Sequence, residues 1–290
     1  GLEVLASGQA RLDFIQRILH GGDAIRARGF RRGFQIGQEL LERVQKSGAR
    51  VWLNTLVYGI ERDCSLGVIH EGEHYVVRAK KVIVATGAKE NYMAFPGSTL
   101  PGVMGAGAAQ TMVNVNRVLP GKRVVMLGSG NVGLIVSYQL MQAGADVVAL
   151  VEAAHKIGGY AVHAGKLRRA GVPILVGHTI TRVSGDGQVE RVEIAQVDKQ
   201  FNPIPGTERV LEADTVCLAV GLNPMTELVW MAGCKFCFIP AFGGHVPMHD
   251  SNMETTVPGL YVAGDVAGVE EASSAMEEGN LAAVGAAHAR

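Results

Sequence analysis

Short apolar runs alternate with amphipathic stretches along this chain, and glycine residues stand at most of the junctions. Apolar residues that recur with the helical period favour helices, whereas short continuous apolar runs favour buried strands. The pattern predicts helices over residues 34–46, 131–143, 160–169 and 271–287, and strands over 1–5, 50–57, 74–79, 81–86, 122–127, 146–151, 173–176, 189–197, 215–220 and 259–263. This alternation is typical of an α/β fold with a parallel sheet, although the run 189–197 follows turn residues at Asp186-Gly187 and is expected to be antiparallel.

Composition limits the classes of protein. A length of 290 residues suggests about two domains. Because 27 Lys and Arg balance 27 Asp and Glu, and aromatic residues make up only 6%, we expect no nucleic-acid partner. No apolar run suggests a membrane span or a signal peptide. The four cysteines do not form the pattern of a disulfide framework, so a cytoplasmic location is expected.

One motif carries most of the chemical information. The predicted strand 122–127 runs into Gly128-Ser129-Gly130-Asn131-Val132-Gly133, and a helical pattern follows. In such a G-x-G-x-x-G loop the first glycine permits a tight turn, the second lets the backbone approach a pyrophosphate, and the third lets the helix pack against the strand. The helix N-terminus then offers free N–H groups to phosphates. We therefore predict a dinucleotide site at Gly128, Gly130, Asn131, Val132 and Gly133, with close packing alone as the alternative.

An acidic residue follows at the expected distance. Glu152 ends the next predicted strand, roughly the 20 residues downstream at which such folds carry an acid. A carboxylate there can accept hydrogen bonds from both ribose hydroxyls and repel a 2′-phosphate, which favours NAD over NADP. His155 and Lys156 lie close by and leave NADP open.

The segments that flank this unit carry a family resemblance. They are 82–88 (VIVATGA), 215–224 (TVCLAVGLNP) and 257–268 (VPGLYVAGDVAG). Together with the glycine loop, they resemble flavoproteins of the pyridine nucleotide–disulfide oxidoreductase type, from about residue 32 to the C-terminus. The resemblance implies an α/β fold in which a Rossmann-like NAD(P)-binding domain, residues 105–224, is inserted into an FAD-binding domain split between residues 1–104 and 225–290.

The flanking segments also suggest contacts with FAD. A strand that ends at Thr86-Gly87 lets the backbone pass close to an adenosine or flavin edge. Asp265 can accept hydrogen bonds from the ribityl chain, although an ordinary turn or a helix cap is the alternative for this residue. In the family, the helix that opens near Glu271 points its N-terminus at the flavin, where its dipole stabilises a reduced, anionic ring. The resemblance thus implies cofactor contacts at Thr86, Gly87, Ala88, Gly221, Gly264, Asp265, Ala272 and Ser273.

The chain departs from the family pattern at its start. The FAD domain of the family opens with its own strand and G-x-G-x-x-G loop, and neither is present here. Residues 1–5 look like the second strand of that domain, so about 30 residues are expected to be missing. Because the lost strand is normally central, its absence would leave a slot in the sheet and weaken or abolish FAD binding. Residues 7–29 also match the family poorly.

No protein group stands out as catalytic, so no catalytic residue is assigned. Cys234 and Cys237 form a C-x-x-C pair that allows three interpretations: a redox dithiol, a metal site with His245 and His249, or ordinary packing. Packing is favoured, because the pair follows the helical run 226–232, at the end where a helix dipole disfavours thiolates. No metal site is therefore predicted.

Three functions remain open. The leading one is an oxidoreductase that exchanges hydride between NAD(H) and FAD, because hydride chemistry belongs to the cofactors and needs no protein acid–base set. A second follows from segments 85–91, 100–103 and 270–275, which look like the α subunits of sarcosine oxidase, dye-linked proline dehydrogenase and opine oxidase. In that case a second flavoprotein subunit would oxidise a small-molecule substrate. The third is a non-catalytic nucleotide-binding module.

Overall fold

The computed structural model describes residues 3–5 and 33–288. Its helices are α1 (Gly33–Lys46), α2 (Ala106–Thr111), α3 (Asn131–Gln142), α4 (Ala161–Arg169), α5 (Glu227–Met231) and α6 (Ala272–His288). Its strands are β1 (Glu3–Leu5), β2 (Arg50–Trp52), β3 (Thr55–Ile60), β4 (Ser65–His70), β5 (Glu73–Arg78), β6 (Val82–Val84), β7 (Ala88–Glu90), β8 (Val103–Gly105), β9 (Arg123–Leu127), β10 (Asp146–Glu152), β11 (Ile174–Val176), β12 (His178–Ser184), β13 (Arg191–Gln196), β14 (Arg209–Glu212), β15 (Thr215–Leu218), β16 (Leu222–Pro224), β17 (Phe236–Ile239), β18 (Gly244–Pro247) and β19 (Leu260–Val262).

The chain divides into two compact units. The outer unit combines residues 1–89 with residues 222–290, and the inner unit consists of residues 90–221. The boundaries expected from the sequence, at residues 104–105 and 224–225, separate an NAD(P)-binding domain from the two parts of an FAD-binding domain. They are defined by the expected cofactors and stay predictions.

The inner unit is built on a parallel sheet with a core on each face. Its five strands lie in the order β11-β10-β9-β15-β8. Because side chains alternate along a strand, β9 places Val124 and Met126 in a core shared with α3 and α4, and Val125 and Leu127 in a second core. That second core is closed by the antiparallel sheet β12-β13-β14, which covers the other face.

The outer unit combines parallel and antiparallel strands. The parallel pairs are β1 with β2 and β6 with β19. The antiparallel parts are the sheet β3-β4-β5 and the hairpin β17–β18. All three residues of β19 are fully buried, and Tyr261 lies in a core that also contains residues of β3, β4, α5 and α6.

The expected α/β fold with a parallel sheet is confirmed. Several local predictions are corrected. The single strand expected over residues 50–57 is wrong. The chain turns at Asn54, whose φ of 53° lies in the left-handed region that asparagine tolerates, and this turn separates β2 from β3. The structure also contains elements that were not predicted: the strands β4, β7, β8, β12, β14, β16, β17 and β18 and the short helix α2. The hairpin at Asp186-Gly187 is confirmed, since β12 and β13 pair antiparallel around it. The segment 7–29 lies outside the described residues.

Burial along α4 gives a first test of this fold. Leu167 is fully buried in the inner unit, whereas Val162 on the same helix is 62% exposed. We expect Leu167→Ala to lower the free energy of unfolding by about 2–5 kcal/mol, through lost burial and the cavity left behind. Val162→Ala should change it by about 0.5 kcal/mol or less. Chemical denaturation followed by circular dichroism measures both, and equal effects would contradict the fold.

Candidate functional site

Two segments far apart in the sequence end side by side in the outer unit. The strands β6 and β19 run parallel, with Val84 opposite Val262. The N–H of Ala263 continues the ladder by donating to the carbonyl oxygen of Val84 over 3.1 Å. Because parallel strands end at the same edge of a sheet, Thr86-Gly87 and Gly264-Asp265 leave this edge as neighbouring turns. The structure thus brings the predicted residues of the two flanks together.

The first turn is held by the chain around Met225. The hydroxyl of Thr86 donates to the carbonyl oxygen of Met225 over 2.7 Å, and the N–H of Met225 donates to the carbonyl oxygen of Gly87 over 2.8 Å. Gly87 has a φ of 83°, a conformation that residues with a side chain rarely adopt. The side chain of Thr86 therefore shapes the turn, in which Gly87 is buried and Ala88 is half-buried.

The second turn contains a buried carboxylate. Gly264, with a φ of 74°, opens a short 3₁₀ turn, and Asp265 within it is 7% exposed. The N–H of Gly264 donates to Oε2 of Glu278 on α6 over 2.7 Å. Burial is the main cause that raises the pKa of Glu278, and Glu270 and Asp265 raise it further. Glu278 was not predicted from the sequence, because nothing local links it to Gly264.

The helix α6 follows this turn in the same unit. It begins at Ala272, one residue later than predicted, and Ala272 and Ser273 in its first turn are half-buried. The first N–H groups of a helix have no partner within the helix, so this end can receive negative charge.

The glycine loop of the inner unit lies between β9 and α3, as predicted. A Cβ on Gly128 would overlap the carbonyl oxygen of Ala219, and one on Gly133 would overlap the carbonyl oxygen of Gly128. A Cβ on Gly130 would meet nothing within 4 Å. The first and third glycines are therefore required by packing, whereas the second leaves open space in front of the N-terminus of α3.

Glu152, at the end of β10, accepts hydrogen bonds from this loop. Its Oε2 accepts the N–H of Ser129 over 2.8 Å and the hydroxyl of Ser129 over 2.5 Å, and its Oε1 accepts the N–H of Ala154 over 2.8 Å. The carboxylate thus ties the end of β10 to the glycine loop.

A second glycine element, which was not predicted from the sequence, lies against the loop. The N–H of Gly158 donates to the hydroxyl of Ser129 over 3.0 Å, and the N–H of Gly159 donates to the carbonyl oxygen of Ser129 over 2.8 Å. The N–H of Tyr160 donates to Oδ1 of Asn131 over 2.9 Å. The adjacent pair of glycines shortly after an acidic strand end was the available signal.

Gly221 belongs to the turn that follows β15. Because β15 pairs in parallel with β9, this turn leaves the sheet at the edge where the glycine loop stands. Gly221 has a φ of 107° and is exposed, and its carbonyl oxygen accepts the N–H of Asn91 over 2.9 Å. Its backbone therefore borders the predicted nucleotide site.

The four cysteines are unpaired. The thiol of Cys234 is buried and donates to the hydroxyl of Thr255 over 3.3 Å, while that of Cys237 donates to the carbonyl oxygen of Val246 over 3.9 Å. Burial raises the pKa of Cys234, and it raises that of Cys217 to about 12. Burial thus disfavours the thiolate that a redox dithiol would need at Cys234.

Neither a metal cluster nor a membrane-spanning helix occurs in the described part of the chain. Within residues 3–5 and 33–288 no cluster of three or more His, Cys, Asp or Glu side chains is arranged to hold a metal ion. Over the same ranges, no helix combines the length and the apolar character needed to cross a bilayer.

This chain belongs to the pyridine nucleotide-disulphide oxidoreductase family, whose model matches residues 9–279. Over 230 residues it is 31% identical to the A subunit of opine oxidase from Agrobacterium tumefaciens (strain Ach5), covering 76% of this chain and 46% of that relative. Over 217 residues it is 29% identical to the alpha subunit of sarcosine oxidase from Corynebacterium sp. (strain P-1), covering 73% and 21%.

The same fold occurs in the crystal structure of L-proline dehydrogenase from P. horikoshii. The TM-score is 0.66 at 21% identity, and the match covers 99% of this chain and 54% of that one. Both the family resemblance and its narrower form, with opine oxidase, sarcosine oxidase and proline dehydrogenase, are confirmed as similarities. The chain spans about half the length of the first curated relatives that it matches.

The glycine loop yields a paired test of stability. Gly128→Ala should destabilise the inner unit by about 1–3 kcal/mol, because φ is 103° and the new methyl group meets the backbone of Ala219. Gly130→Ala should stay within about 1 kcal/mol of wild type, because φ is −63° and the space is open. Thermal unfolding compares the two variants, and equal loss of stability would contradict this loop geometry.

Proposed function

We propose that this chain is part of an FAD-dependent oxidoreductase that exchanges hydride between NAD(H) and flavin. The observation that carries the proposal is the pair of neighbouring turns after β6 and β19, in a chain that also contains a complete glycine loop. Membership of the pyridine nucleotide-disulphide oxidoreductase family supports it.

The glycine loop fits a nucleotide pyrophosphate. The open space at Gly130 adjoins the first turn of α3, where Asn131 and Val132 contribute N–H groups without helical partners. Backbone donors and the positive end of the helix dipole are the groups that bind phosphates. Glu152 would accept the ribose hydroxyls beside this loop, and its negative charge would disfavour the 2′-phosphate of NADP.

The turns of the outer unit fit the sugar-like part of a flavin. Asp265 is buried and lies in the turn next to Thr86-Gly87. Gly87 and Ala88 carry no large side chain. A carboxylate accepts hydrogen bonds from hydroxyl groups, so Asp265 is the residue we propose for the ribityl chain. Gly264, Ala272 and Ser273 would leave the approach open at the N-terminus of α6.

The chemistry itself comes from the bound groups, since a reduced nicotinamide gives hydride and a flavin accepts it. The residues of this chain bind and orient the two nucleotides, and none is proposed to donate or accept a proton. The buried Asp265 and the dipole of α6 would set the electrostatic environment of a flavin bound there.

A second candidate is the corresponding part of an amine or amino-acid oxidase or dehydrogenase that is built from several subunits. The similarity to subunits of opine oxidase and sarcosine oxidase favours it. In this case a second flavoprotein subunit would oxidise a small-molecule substrate, and this chain would hold FAD together with a second nucleotide.

The visible spectrum of the full-length protein tests both candidates. We expect flavin absorbance that bleaches on anaerobic addition of NADH, because the hydride passes to the flavin. Bleaching only with an amine and a co-purified second subunit would instead support the multi-subunit enzyme. A colourless full-length protein would contradict both and favour a non-catalytic nucleotide-binding module.

Gly130→Ala provides the matched variant for this experiment. The added methyl group occupies the open space in front of α3, so NADH binding should weaken about tenfold or more while flavin content stays unchanged. The control is Gly165→Ala on α4, where a Cβ meets only the flexible end of Arg169. Titration of intrinsic fluorescence with NADH measures the affinity of both variants. Wild-type affinity in Gly130→Ala would contradict the proposed nucleotide site.

Glu152→Gln tests the choice between NAD and NADP. The amide oxygen of glutamine still accepts hydrogen bonds from Ser129, but its NH2 group cannot accept the N–H of Ala154, and the negative charge is gone. We expect the affinity for NADH to fall about tenfold and the ratio of NADPH to NADH affinity to rise. Glu208→Gln, at an exposed position of the same unit, is the control. An unchanged ratio would show that Glu152 does not select the nucleotide.

A further inference from the structure

Glu278 has no role in the function proposed so far, yet it joins two elements at the candidate flavin site. It lies on α6, is half-buried, and its Oε2 accepts the N–H of Gly264 over 2.7 Å. The neighbouring residue Glu277 is exposed. Two adjacent glutamates of one helix therefore differ in their surroundings, and only one of them reaches the turn.

The hydrogen bond supplies a partner that the backbone around Gly264 does not. The carbonyl oxygen of Gly264 accepts the N–H of Ala267 over 2.7 Å within the turn, whereas the acceptor for the N–H of Gly264 is the side chain of Glu278. Gly264 is buried, and a buried N–H without a partner is costly. Glu278 thus fixes the first residue of the turn in which Asp265 stands.

The surroundings of Glu278 disfavour its negative charge, which a purely structural contact would not need. Burial, Glu270 and Asp265 all raise the pKa of Glu278, while the Gly264 hydrogen bond and His249 lower it. A neutral residue could pack between α6 and β19 without these costs. A long side chain that ends in an acceptor oxygen is explained where the hydrogen bond to the N–H of Gly264 matters.

We propose that Glu278 is a positioning residue of the flavin site, because its bond to Gly264 sets the direction in which Asp265 meets the polyhydroxyl chain. This inference rests on the proposed function and extends it to a residue that does not touch the cofactor. Three substitutions separate reach from charge. Gln keeps the reach and the acceptor oxygen without the charge, Asp keeps the charge but is too short, and Ala removes both.

The first measurement needs no flavin. In the flavin-free full chain, amide hydrogen exchange should accelerate about tenfold or more at Gly264 in Glu278→Ala and Glu278→Asp, because no acceptor oxygen then reaches the N–H. Exchange in Glu278→Gln should stay within about threefold of wild type. Glu277→Ala is the matched control and should be unchanged. Wild-type exchange in Glu278→Ala would overturn the inference.

The second measurement is the dissociation constant of FAD, followed by flavin fluorescence, with thermal unfolding alongside. We expect a rise of about tenfold in Glu278→Ala and Glu278→Asp, and rescue to near the wild-type value in Glu278→Gln. Should Glu278→Ala fail to fold, the comparison of Asp with Gln decides the same question. Wild-type affinity in Glu278→Asp with loss in Glu278→Gln would show that charge rather than positioning matters, and would overturn the inference.

The two proposals fail in distinguishable ways. Full-length wild-type protein that retains no FAD overturns the proposed function together with this extension of it. Equal FAD affinity in wild type, Glu278→Ala and Glu278→Asp overturns only the role of Glu278.

Discussion

The parallel pairing of β6 with β19 is the constraint on which the candidate flavin site depends. The two strands are separated in the sequence by the whole inner unit, yet the N–H of Val82 reaches the carbonyl oxygen of Gly259 over 2.9 Å, and the N–H of Ala263 reaches that of Val84. Parallel strands need a long crossover between them, and here the crossover contains an entire folded unit. The burial of β19 among several elements of the outer unit fixes this register.

Glycine has different physical roles within one loop of the inner unit. At Gly128 and Gly133 a Cβ would overlap neighbouring backbone, so the packing of the protein itself requires glycine at both positions. Gly130 has open space around it, so packing does not require a glycine there. This contrast separates what the fold needs from what a ligand would need, and it makes Gly130 the more informative residue about function.

Local patterns predicted the elements whose causes are local. The strand, glycine loop and helix at residues 123–142 were recovered because the apolar period, the turn residues and the helix start lie next to one another. The strand 50–57 was wrong, because a left-handed Asn54 divides an otherwise continuous alternation. The strand β12 was missed because only Gly177 separates it from β11, and a single residue gives little warning of a change of sheet.

The sequence by itself determined the α/β class, the glycine loop and the family resemblance, because each depends on residues that are neighbours along the chain. Only the tertiary structure decided that Ser129 donates hydrogen bonds to Glu152, and that the carboxyl group of Glu278 accepts the N–H of Gly264. Such contacts join residues that are brought together by sheet register and helix packing. A side chain's hydrogen-bond partner across that distance leaves no periodic trace in the sequence, so it becomes visible only when the chain is folded.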